Sequence, residues 1–108
     1  MAHDVQKGLA VIQQQLKELD RIFNDGIETL NMAAGTERVA KWRARTAALL
    51  TASLGEKVGQ DFAGIEPGPS FTNDLVEEFT DLVETFRSPL KDLSKRLAQA
   101  GGSPAAGG

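Results

Sequence analysis

Four carboxylates in one stretch, Asp74, Glu77, Glu78 and Asp81, come nearest in this sequence to a reactive or metal-binding cluster. On a helix, Glu77 and Asp81 stand four apart on one face, as do Asp74 and Glu78, so oxygen ligands for a hard cation could converge there. Such pairs are also ordinary on solvated helices, and the rest of the chain supplies no chemistry to accompany them. There is no Cys, and His3 is the single His. Thiolate nucleophiles, disulfides and Cys-based zinc sites are therefore excluded, and transition-metal sites nearly so. His3 sits in a terminal stretch, without the fixed geometry a general base needs. The Ser and Thr residues lack a placed histidine for a triad. Gly64-Ile65-Glu66-Pro67-Gly68-Pro69 lacks the Gly-Lys-Ser/Thr ending of a phosphate loop. The expectation is a protein that is not an enzyme, with no catalytic residue, cofactor, metal or small-molecule substrate.

A second cluster is basic. Arg38, Lys41 and Arg45 fall on one face of a helix, Arg43 points elsewhere, and Trp42 lies between them. Basic residues with an interleaved aromatic are the ingredients of a nucleic-acid contact. Against this, the formal net charge is −3, the wrong sign for phosphate binding. The first half of the last helix also offers counter-charge within the chain. The sequence is therefore read with Trp42 in the core and the basic residues as a solvated rim paired with that acidic helix. Nucleic-acid binding through Arg38, Lys41 and Arg45 is the alternative.

The elements that must position these residues are helices. Val5, Leu9, Ile12, Leu16, Leu19, Phe23, Ile27 and Leu30 recur at steps of three and four, as do Leu75, Phe79, Leu82, Phe86, Leu90, Leu93 and Leu97. That spacing places each set on one helical face and is the spacing of helix-on-helix packing. The 108 residues suit one domain. Helices are expected over about 4–33, capped by Asp4 and weak at Gly26; over 37–54, entered from Ala34-Gly35-Thr36 and stopped by Gly55; and over 73–97, capped by Thr72 or Asn73 and kinked at Pro89. A break at Gly26 or Pro89 would make four helices of three. Lys57 to Pro69 reads as a loop anchored by Val58, Phe62 and Ile65. The fold class is all-α: a helical bundle over 1–97, followed by a flexible Gly/Ala/Ser/Pro tail over 98–108.

Charge and length point outward from this bundle. The last helix is acidic from Asp74 to Glu84 and basic from Arg87 to Arg96. This complements its own dipole and could also set pairing with a second copy or partner. A middle helix of about 27 Å cannot cover two flanking helices of roughly 38–45 Å. Val5, Leu9, Ile12, Leu90, Leu93 and Leu97 are thus expected to overhang and form an interface with another copy or a partner protein helix. In the alternative, monomeric arrangement, the 55–71 segment folds over them through Val58, Phe62 and Ile65. No apolar run approaches the ~20 residues that span a bilayer, and no secretory signal is read at Met1-Ala2-His3-Asp4. A cytoplasmic protein is expected.

Glu37 to Thr46, with its basic-Trp-basic start, is followed by Leu49-Leu50, Leu54-Gly55 and Phe62. This stretch resembles a helical segment found beside effector domains, such as TIR-like nucleotide-binding domains, in bacterial immune proteins. The resemblance covers about a quarter of the chain. It implies a regulatory or oligomerising helical part, an accessory of a bacterial defence system, and supplies no functional residue. Residues and resemblance together lead to the expectation of a non-catalytic protein–protein interaction or oligomerisation module.

Overall fold

The computed structural model describes residues 5–69 and 71–102, which form four α-helices and no strand. These are α1 (Val5–Thr29), α2 (Met32–Leu54), α3 (Glu56–Ala63) and α4 (Leu75–Gly102). The expected all-α bundle is therefore present. α1 and α2 form an antiparallel hairpin: Gly8 lies against Leu54, Gln15 against Thr46 and Asp25 against Arg38. α4 runs back along α1, with Arg87 at Asp20 and Phe79 at Phe23.

The hairpin turn lies earlier than the sequence suggested. α1 continues through Gly26 and ends at Thr29. Leu30 follows with φ 57°, in the left-handed region, and Asn31 caps α2 by accepting from the Ala34 amide at 3.1 Å. Gly26 and Gly35 are neither a weak point nor a turn, but the seats of one aromatic ring. A Cβ at Gly26 would stand 2.8 Å from the Phe79 ring, and one at Gly35 2.7 Å. Phe79 wedges between α1 and α2 because both glycines present bare backbone there, and this contact outweighs the ~1 kcal/mol that Gly costs in a helix. At the other end of α2, Gly55 has φ 106° and joins α2 to α3 through a single residue; side chains avoid that conformation. α4 is capped by Asp74, one or two residues later than expected. Its carboxylate accepts from the Val76 and Glu77 amides. α4 passes through Pro89 without ending.

The deepest line of α1 is Gly8, Ile12, Gln15, Leu19, Ile22 and Gly26. The apolar seam read from sequence flanks this line, since the centre holds two glycines and a glutamine that a count of hydrophobic residues passes over. Leu19, Phe79 and Phe86 of the two seams are buried, with Ile22 and Val83 added, and so are Ile12 and Leu90, which the sequence reading sets in an overhanging interface. Trp42 is fully enclosed, as its place on the α2 stripe required. It meets Phe62 and Phe86 edge-on at 5.8 and 6.3 Å. Its indole nitrogen donates to the Gln15 carbonyl at 2.9 Å, and the Gln15 amide donates to Thr46 Oγ1 at 2.7 Å. The buried polar groups of Gln15, Trp42 and Thr46 thus satisfy one another.

Residues 56–63, read as loop, are a helix that closes the end where an overhang was expected. α3 carries Phe62 into the core and lies close on α2: a Cβ at Gly59 would strike the Thr51 side chain and stand 2.9 Å from the Ala47 carbonyl oxygen. α2 is also longer than anticipated, at 23 residues. α4 extends to Gly102, so residues 98–102 are helical rather than tail. The remainder of the expected tail, 103–108, lies outside the described residues, as do His3 and the expected cap Asp4.

Candidate functional site

The charged residues settle mostly on α1. Arg38 pairs with Asp25 at 3.2 Å, Arg45 with Glu18, and Arg87 with both Asp20 and Glu84. The basic face of α2 is thus a rim tied to α1, and not to the acidic half of α4 as the sequence reading held. α2 runs antiparallel to α1 and shares that edge with it, whereas Glu78 and Asp81 of α4 stand at the groove and make no ion pair with Arg38 or Arg45. Of the candidate nucleic-acid residues, Arg38 and Arg45 are engaged in these pairs and Lys41 is exposed. Arg43 donates to the carbonyls of Ala63, at 2.8 Å, and Ile65, and its guanidinium lies 5.0 Å from the centre of the Phe86 ring. A cation on the last carbonyls of a helix also complements its dipole, so Arg43 clips α3 shut.

The interface residues named from sequence are redistributed. Ile12 and Leu90 are 0% exposed and belong to the chain's own core; the α3 end leaves neither for a partner. Leu93 and Leu97 pack half-buried against that core, and Val5 and Leu9 are half-buried on α1.

Exposed apolar surface lies instead at the opposite end. Leu30 is 72% exposed, Leu75 62%, and Phe71, just before α4, 95%. Leu30 and Leu75 border an open groove of about 930 Å³ between the first halves of α2 and α4. Met32, Ala33 and Thr36 form one wall; Phe79, Leu82 and Thr85 form the other; Pro67 to Pro69 close the side. The groove exists because α3 occupies the space between α2 and α4 only at the far end. Past Ala63 the chain spends Ile65 on the α3 end and then reads Pro67-Gly68-Pro69, which cannot continue a helix or set large side chains against the groove. The second seam is therefore divided: Phe86 and Leu90 are enclosed beside α3, whereas Leu75 and Leu82 face the groove. The signal for this was present in the sequence, as the Pro67-Gly68-Pro69 run, which has no large apolar side chain to set against the start of that seam.

Glu78 and Asp81 also line the groove. Asp74 spends its carboxylate on capping α4, and among the described residues no three His, Cys, Asp or Glu side chains are arranged to hold a metal ion. No described helix is long and apolar enough to cross a membrane. Comparison with protein-family models, curated proteins and solved structures finds no match. Of the residues that carry the resemblance to bacterial immune segments, Trp42, Leu50, Leu54, Gly55 and Phe62 build the α2–α3 corner, whereas Leu49 is exposed.

Proposed function

We propose that this chain is a non-catalytic interaction module of the cytoplasm, which docks a helix of a second copy or of a partner protein in the α2–α4 groove. One observation carries the reading. Leu30, Leu75, Met32 and Leu82 gather apolar surface around a single concavity, and Leu30 does so from a left-handed backbone position that costs a leucine about 1–2 kcal/mol. Contiguous exposed apolar surface of this kind is characteristic of an interaction site. A concave site framed by two helices suits an amphipathic helix. The resemblance over 37–62 extends the reading to an accessory or regulatory part of a bacterial defence system.

The test compares the wild-type chain with a Leu30→Ser/Leu75→Ser variant. Both residues are exposed, so circular dichroism should show the same helical fold for both. The wild type should form a species of higher mass in light scattering, alone or with a partner co-purified from its source cells, and the variant should lose it. A wild type that stays monomeric at tens of micromolar and retains no partner, or whose partner the variant retains equally, would remove the groove from the argument.

A further inference from the structure

The walls of the groove carry unspent negative charge. Glu78 and Asp81 line it, Glu77 stands on the same helix, and none of the three has a cationic partner among the described residues. Every acidic group that α4 leaves unpaired in its first three turns therefore stands in or beside an apolar cleft. Resting on the interaction-module reading, we infer that the occupant is a cationic amphipathic helix of a different protein, with apolar residues on one face and Lys or Arg along its flank.

Two arrangements with a second copy fail, one on charge and one for want of an apolar face. A second copy docked groove to groove would set Glu78 and Asp81 of one copy against those of the other, and like charges brought together oppose such pairing. A second copy docked by its basic segments offers little apolar surface, with Leu49 the one large apolar side chain exposed beside the basic residues of α2 among the described residues. In α2 the apolar residues Val39 and Trp42 are enclosed, and Arg38 and Arg45 are paired to α1; beside Lys91, Lys95 and Arg96, Leu90 is enclosed and Leu93 and Leu97 pack on the core. The open stretch from Leu75 to Thr85 is about 15 Å long, so the cleft receives about three turns of helix.

The test uses the full chain with three synthetic helical peptides that share one leucine face: Leu/Lys, Leu/Gln and Leu/Glu. Calorimetry reads affinity and amide chemical shifts read location. The Leu/Lys peptide should bind with shifts centred on Leu30, Met32, Leu75 and Leu82. The Leu/Glu peptide should bind at least about tenfold more weakly, added salt should narrow the gap, and a Glu78→Lys/Asp81→Lys variant should reverse the order. Equal binding of all three peptides would leave the docking groove standing and overturn the cationic occupant. Leu/Lys binding with shifts scattered over the surface would overturn it too. So would a doubled mass in the absence of peptide that Leu75→Ser abolishes, since a second copy would then be the occupant. No peptide binding together with a monomeric mass and no partner would overturn this inference and the interaction-module reading alike.

Discussion

The two ends of the α2–α4 interface start from the same seam and finish differently. At one end α3 lies over the seam, the rings of Phe62 and Phe86 close around Trp42, and Arg43 holds the cover in place. At the other the seam opens into a groove, with a leucine held in a left-handed turn at its edge. The contrast teaches that an apolar stripe becomes core only where the chain provides a matching element. A short helix entered through Gly55 provides it at one end, and a Pro/Gly stretch withholds it at the other.

Stability measurements should break this comparison if it is wrong. Trp42→Ala should cost about 3–5 kcal/mol in denaturant unfolding, whereas Leu75→Ala at the open end should stay within about 0.5 kcal/mol. Similar costs at both positions would mean that the groove is closed in solution. Gly59→Val should cost about 1–3 kcal/mol, because the new side chain meets Thr51 and the Ala47 carbonyl, and Thr51→Ala should recover part of the loss in the double variant. Arg43→Ala should cost about 1–2 kcal/mol through its hydrogen bonds to the end of α3. Amide exchange should then accelerate in 56–63 before it does so in α1 or α4. The smallest effect sharpens the open end. Leu30→Gly should stabilise the protein by up to about 1 kcal/mol by relieving the left-handed leucine, while weakening whatever docks in the groove. Thermal melts paired with the binding assay read both signs.

Much of the fold is legible in the sequence because helical periodicity survives local exceptions: the presence of α1, α2 and α4, the burial of Trp42 and the continuation of α4 past Pro89 follow from it, while the helix ends differ from the expected ones by up to five residues. The errors share a cause. Glycine was taken for punctuation at Gly26 and Gly35, where it serves as a contact surface for Phe79, a partner more than forty residues away that no local pattern reveals. α3 escapes the sequence reading because its eight residues, bounded by Gly55 and Gly64 and holding Gly59, are too few for the spacing of Val58 and Phe62 to be told from a loop, and its helix is fixed by packing on α2. The exposed apolar end is misplaced for the same reason. Without α3 the wrong end of the bundle appeared bare, so Ile12 and Leu90 were assigned to a partner that the chain itself replaces.

Gln15 and Thr46 carry a consequence for the distant groove. Two amphipathic helices can slide past each other by a turn and still bury leucines, because their stripes repeat. Gln15 is the one buried amide side chain of α1, and the second buried hydroxyl of α2, Ser53, is already bonded to the Leu49 carbonyl, so the pairing of Gln15 with Thr46 has a single register. Sliding would leave both groups, and the Trp42 indole, without partners at a cost of about 1–3 kcal/mol each. The pair acts as a single tooth in a ratchet that admits one alignment of the hairpin. That alignment sets Gly26 opposite Gly35, roughly 16 Å further along, so that one phenylalanine can enter between them. The floor of the groove is thus indexed by a hydrogen bond that never touches it.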